Sequence, residues 1–222
     1  MNKTVIVVAA HSDDEALGCS GTISKHIEQG DSVHLLFMTD GVASRSAKVN
    51  NKKKRLTAAQ GVAEILGVDT LTNLNFPDNR MDSIPLLDVV KEIEDKISQV
   101  QPEVIYTHHI GDLNIDHQIT HKAVITACRP HPGFCVRKIY AFEVLSSTEW
   151  QTPGVESFCP NMFIDITDYI DIKKQVLKVY SAEMHQTPHS RSIDNAIRLN
   201  AVRGNSIGVD YAEAFVLIRM IQ

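Results

Sequence analysis

Short apolar runs rich in Val and Ile, each closed by a polar turn, alternate along this chain with segments whose apolar positions recur at helical spacing. The first run, Val5-Ile6-Val7-Val8-Ala9-Ala10, reads as a strand over 4–9 that is buried on both faces. It ends in His11-Ser12-Asp13-Asp14-Glu15. Leu17, Ile23 and Ile27 then mark a helix over about 15–29 that stops at Gly30. A strand follows over 32–38 and closes on Thr39-Asp40-Gly41. Residues 42–54 form a loop or the exposed start of a helix that runs through Ala58, Val62, Ile65 and Leu66 to Gly67. A short strand near 71–75 leads into a turn at Phe76-Pro77-Asp78-Asn79. Leu86, Leu87, Val89, Val90, Ile93 and Ile97 space a helix from Pro85 to about Val100. A strand over 103–107 opens onto a second polar cluster, His108 to His117, and a helix over 118–127. Strands over 136–145 and 161–166, helices over 168–181 and 192–203, a turn over 204–208 and a strand over 212–220 complete the pattern. Strand–helix–strand alternation predicts parallel pairing with right-handed crossovers. The expected class is α/β: a Rossmann-like, mostly parallel sheet flanked by helices, with an active site at the carboxyl ends of its strands.

The length, 222 residues, suits one substantial core. Neither an internal repeat nor a low-complexity linker divides the chain. One domain over 1–222 is expected, with a Rossmann-like core to about 145 and a C-terminal α/β extension over 146–222. Apolar and charged contents of 43% and 22% are those of a soluble globular protein. The formal charge of −5 argues against a nucleic-acid partner, which requires a basic face. Three lysines of the basic run Lys52-Lys53-Lys54-Arg55 read as a solvated face. No run is long enough to span a membrane, and Met1 to Thr4 lead straight into a strand with no signal-type segment. Cys19, Cys128, Cys135 and Cys159 form no C-x-x-C pair, which points to a reduced, cytoplasmic protein without a redox motif or thiolate zinc site. A homo-oligomer is compatible with all of this.

Both polar clusters sit where a strand hands over to a helix, and strand ends of one parallel sheet point the same way. Asp-Asp-Glu before a helix is also a good N-terminal cap, with no chemistry required. The joint occurrence of the two clusters favours a metal site. Catalytic zinc usually takes three His or carboxylate ligands and a water. His11 and Asp14, three apart at a tight turn, can converge on one point, and His117 could complete the set. Asp13, beside them, could take a proton from the metal's water, and Asp116 could orient a histidine ring. His26, His34 and His131 have no comparable setting.

Together, His11-Ser12-Asp13-Asp14-Glu15 and Asp112-Leu113-Asn114-Ile115-Asp116-His117 resemble the motifs of the PIG-L/LmbE-like family of zinc-dependent de-N-acetylases. Those enzymes remove acetyl groups from N-acetylated amino sugars and their conjugates. The likeness extends to Thr39-Asp40-Gly41, to Arg55 before Glu64-Ile65-Leu66-Gly67, and to the tail from Arg203-Gly204 to Tyr211-Ala212-Glu213-Ala214-Phe215. It implies Zn2+, or Fe2+ in its place, on His11, Asp14 and His117, with Asp13 as the general base that returns its proton to the leaving amine. Ser12 replaces the family's proline. Asn114 stands where many relatives carry a histidine that stabilises the oxyanion. An amide can donate a hydrogen bond but carries no charge, so His109 or the metal would compensate. Asn114 and Asp116 thus join Asp13 in the expected catalytic set. Arg55, His109, Asp112, His189 and Arg191 are expected to contact substrate. Ala58 replaces an acidic residue three after Arg55, which removes that arginine's usual anchor. The implied function is removal of an N-acetyl group from an amino sugar or sugar conjugate, with a nucleotide-linked sugar for cell-envelope glycans as one candidate. The alternatives are metal-dependent hydrolysis of another amide or ester, and a non-catalytic sugar- or nucleotide-binding α/β protein.

Overall fold

The computed structural model describes residues 2–39, 41 and 50–222. The expected turn residue Asp40 and the loop with Ser44, Arg45 and Ser46 lie outside the described residues. In chain order the elements are β1 (Thr4–Ala9), α1 (Asp14–Glu28), β2 (Ser32–Thr39), α2 (Asn50–Leu66), β3 (Thr70–Phe76), α3 (Leu86–Val100), β4 (Val104–His108), α4 (Ile115–Ala127), β5 (Lys138–Phe142), β6 (Met162–Asp165), α5 (Ile170–Val179), α6 (Ile193–Asn205) and β7 (Ala212–Met220). One sheet takes the order β3-β2-β1-β4-β5-β7-β6. The first five strands pair in parallel, and β7 pairs antiparallel with both β5 and β6.

The continuous apolar reading of β1 has a simple cause: both of its faces are covered. Val5, Val7 and Ala9 pack with Leu17 and Ile23 of α1, Val62 of α2 and Val176 of α5. Ile6 and Val8 pack on the other face with Val90 and Ile93 of α3 and Val124 of α4. The order also creates a switch point. From β1 the chain moves to β2 and β3 on one side, then returns to β4 and β5 on the other. A crevice opens at the carboxyl ends of strands where the winding reverses. The polar clusters leave β1 and β4, the two strands that flank this point.

Three departures from the sequence expectation matter. First, α4 begins at Ile115, three residues early, because Asn114 caps it: its side chain accepts the Asp116 N–H. Second, α6 continues through Gly204 and Asn205, where a turn is expected. A Cβ at Gly204 would lie 2.7 Å from the Tyr211 nitrogen, so glycine there serves close approach of the returning chain. Third, α1 breaks at Cys19 (φ −151°, ψ 18°). A buried ion pair spans the break. Glu213 of β7 accepts the N–H groups of Gly21 at 3.0 Å and Thr22 at 2.7 Å. Lys173 of α5 donates to the Leu17 carbonyl at 2.8 Å and to Glu213 at 2.6 Å. The break thereby sets the direction of the short first segment of α1, which carries Asp14. Among the described residues no helix is long and apolar enough to cross a membrane.

Candidate metal and catalytic centre

Three ring and carboxylate atoms converge in the crevice. His11 Nδ1 lies 3.3 Å from Asp14 Oδ2 and 3.3 Å from His117 Nε2, and His117 Nε2 lies 3.3 Å from Asp14 Oδ2. An ion held at about 2.0–2.1 Å in tetrahedral geometry needs ligand atoms about 3.3–3.4 Å apart. All three side chains are buried, and Asp14 Oδ1 has no hydrogen-bond partner among the described residues. The neighbours on the far side of each ring decide which nitrogens are free. His11 Nε2 faces two carboxylates, Asp116 Oδ2 and Asp78 Oδ1, each at 3.2 Å. His117 Nδ1 faces Asp112 Oδ1 at 3.1 Å. Carboxylates at those positions favour protons on the outward nitrogens and leave lone pairs on the two that converge. The donor set therefore fits a divalent ion.

The outward carboxylates are themselves held. Asp116 accepts the N–H groups of Asn79 at 2.6 Å and Met81 at 3.0 Å. Asp112 accepts the Asn114 N–H at 2.8 Å, the Thr148 hydroxyl at 2.7 Å and the Ser147 hydroxyl. Burial works against the Asp112 charge, but His117 and these partners hold its pKa down to about 2. His108 stacks on His117 with ring centroids 3.9 Å apart, and its Nε2 accepts the Ala10 N–H at 2.8 Å. Burial pushes its pKa well down, and an Nε2 that accepts an N–H carries no proton, so this ring packs against His117 as a neutral imidazole.

Asp13 stands beside the ligands on a strained backbone, φ 126° and ψ −22° for a residue with a side chain. Its N–H donates to Glu15 Oε2 at 2.9 Å, and Glu15 Oε1 accepts the Tyr180 hydroxyl at 2.7 Å. Its carboxylate is gripped at both oxygens, by Arg55 at 3.0 Å and Arg191 at 2.9 Å. Burial lifts the Asp13 pKa and the two guanidinium groups pull it back, leaving it above the ordinary carboxylate value. A fixed carboxyl with a raised pKa next to a candidate metal site is equipped to accept a proton and give it back.

The structure gives each of the expected substrate-contacting residues partners of its own. Arg55 and Arg191 orient Asp13. The anchor that Ala58 does not offer Arg55 comes from Glu183, 3.3 Å away, with the carbonyls of Gly41 and Ser12. Asp112 turns inward behind His117 and is fully buried. Asn114 caps α4, and its amide nitrogen donates to Asn79 Oδ1 at 3.2 Å. His109 points its Nε2 at the Glu156 carbonyl, 3.2 Å away, with Phe158 edge-on. His189 sits between His185 and Trp150. Asp78, His108, Glu183, Ser147 and Thr148 were missing from the candidate set. Asp78, an acid in the turn after a predicted strand, and His108, the first residue of the second polar cluster, carried usable signals.

Residues 6–128, more than half of the chain, match the profile of the PIG-L family, described as GlcNAc-PI de-N-acetylase; that span holds both polar clusters. The chain is 27% identical over 186 residues to the protein named uncharacterized deacetylase YaiS of Escherichia coli K12, covering 81% of this chain and 91% of that one. It is also 27% identical over 238 residues to 4-oxalmesaconate hydratase of Pseudomonas putida KT2440, covering 99% and 88%. The N,N'-diacetylchitobiose deacetylase of Pyrococcus horikoshii shares the fold, with a TM-score of 0.79 at 21% identity over 98% of this chain and 84% of that one.

Proposed function

Because this chain belongs to the PIG-L family of GlcNAc-PI de-N-acetylases, we propose that it is a zinc-dependent hydrolase that releases acetate from the N-acetyl group of an amino sugar or sugar conjugate. One observation carries this reading: three potential ligand atoms of His11, Asp14 and His117 converge, each 3.3 Å from the other two, with Asp13 clamped beside them. Zinc held there would polarise the acetamide carbonyl and make hydroxide available near neutral pH. Ferrous iron is the alternative ion, since two histidines and one carboxylate also suit it. Asp13 takes the proton from the attacking water and passes it to the departing nitrogen, which leaves as the free amine beside acetate. Arg55 and Arg191 keep both oxygens of that carboxylate in position through the two transfers. Asp78 with Asp116, and Asp112, hold the His11 and His117 rings in their ligating tautomers. Relatives named as deacetylases of acetylated sugars support the substrate class.

A second reading is addition of water to an unsaturated acid, favoured by the likeness to a hydratase over 99% of this chain. Metal and base are equally serviceable there. Two measurements on the purified protein separate the readings: acetate release across N-acetylhexosamines, their disaccharides and nucleotide-linked forms, and ultraviolet loss of a conjugated dicarboxylate. We expect acetate release, and one zinc per chain that disappears in His11→Ala and His117→Ala. Asp13→Asn should retain the zinc and lose turnover by two or more orders of magnitude, in line with general-base effects of roughly 10²–10⁴. Hydration without acetate release overturns the first reading.

A further inference from the structure

The chain's one tryptophan closes a turn that is hydrogen-bonded to this centre through Asp112. Trp150 closes a 3₁₀ turn, Thr148–Trp150, and remains 51% exposed. Its ring meets His189 edge-on at 5.7 Å, and His189 stacks on His185 at 4.0 Å. A single exposed aromatic needs no functional explanation. What distinguishes Trp150 is the way its turn is fastened. On one side Ser147 and Thr148 bond Asp112, the carboxylate behind His117, and Gln151 Nε2 donates to the Asp112 carbonyl at 2.9 Å. On the other side Arg191 Nε donates to Ser146 Oγ at 2.8 Å, while its Nη1 holds Asp13. The Arg191 N–H donates in turn to His189 Nδ1 at 3.0 Å. Ser146 itself adopts φ 64°, a left-handed conformation that a side-chain-bearing residue rarely holds. The turn is thus fixed to both halves of the centre, to a metal-ligand support and to the arginine of the base. None of these bonds uses the indole.

We infer that Trp150, backed by His189 and His185, is an outer subsite that stacks against the apolar face of the ring attached to the N-acetylated sugar. Its ligand is a second pyranose or an aryl aglycone, and the substrate is a conjugate at least two rings long. This rests on the de-N-acetylase reading above. The exposed indole is flanked in the chain by polar Glu149 and Gln151. One indole is enough for a ligand ring and far short of the roughly 800 Å² per partner that a stable protein interface uses. The bonds of Ser147, Thr148 and Gln151 to Asp112, and of Ser146 to Arg191, tie the turn that carries it to the reacting centre.

The sole tryptophan makes emission a report on this subsite alone. The full chain is titrated with N-acetylglucosamine, N,N'-diacetylchitobiose and phenyl N-acetyl-β-glucosaminide, and acetate release is followed on the same three. A saturable emission change with a two-ring probe and none with the monosaccharide is expected. Response to chitobiose assigns a pyranose, and response to the phenyl glycoside alone assigns an aryl group. The preference for the two-ring probe, as a ratio of KM values to the monosaccharide, should fall roughly tenfold in Trp150→Ala, about one ring-stacking contact. Trp150→Phe should restore most of it. An emission silent to both two-ring probes, or an unchanged KM ratio in Trp150→Ala, overturns the subsite. If acetate is released while the tryptophan stays silent, the subsite falls and the reaction stands. If the tryptophan responds and no probe yields acetate, the reaction assignment falls and the subsite stands.

Discussion

At the scale of single residues, the centre separates side chains that face the converging lone pairs from side chains that aim them. Asp112 aims His117, and its pKa of about 2 means the carboxylate is charged throughout the physiological range. Asp112→Asn keeps the size and some bonds to Ser147 and Thr148 but removes that charge. Zinc affinity measured by chelator competition should fall roughly 10–100-fold, the usual cost of losing such a partner. Asn114 makes the opposite case. Asn114→Asp preserves the oxygen that caps α4 and removes the amide donor. If the amide served the oxyanion, kcat would drop about 10²–10³-fold; the geometry predicts a change of a few-fold and an unaltered urea midpoint. The residues brought together at the converging point, His11, Asp14 and His117, were legible because two dense polar clusters followed two apolar strands. Of the supports behind the rings, Asp116 was legible beside His117, and the others were not. Asp112 looks like a substrate contact from sequence because nothing local shows that Ser147 and Thr148, 35 and 36 residues on, will take up its oxygens. Glu183 is still more remote from Arg55, and Asp78 from His11.

At the scale of elements, strand and helix identities follow from periodicity, and the last strand, over 212–220, matches β7 end to end. What periodicity does not carry is partner choice. An apolar run does not name its neighbours or its direction, and β7, buried only in its first half, enters antiparallel between β5 and β6. The sheet therefore continues across the boundary expected near 145. That placement has a purpose readable only in three dimensions, since it brings Glu213 to the break in α1. Lys173 and Glu213 are both fully buried, and removing one partner from such a pair typically costs about 3–5 kcal/mol. Lys173→Met should lose stability in that range by urea unfolding and should also weaken zinc binding, because the first segment of α1 carries Asp14. Lys173→Met combined with Glu213→Gln removes both charges while one amide oxygen still accepts an N–H, so it should recover more than half of the loss. Additive losses in the double variant would show that the pair is not coupled.

At the scale of the whole molecule, the ligand set joins two segments that the fold reaches separately. His11 and Asp14 leave β1; His117 follows β4, 106 residues after His11. In the unfolded chain these groups are far apart and lack the outward carboxylates that set their tautomers, so an ion that binds the folded centre binds the unfolded chain much more weakly. Binding then adds directly to folding stability. Zinc at a hundred times its dissociation constant contributes about 2.7 kcal/mol, which for a chain of this size is about 5–11 °C in Tm. Chelation of the purified protein should lower Tm by that order, and re-addition of zinc should restore it. In His117→Ala the two Tm values should coincide, because the third ligand is gone. Trp150→Ala should keep the full zinc-dependent increment, since its indole takes no part in the bonds that fix the turn. A chelation shift equal in wild type and His117→Ala would place the ion elsewhere and remove the physical basis for coupling β1 to β4 through a metal.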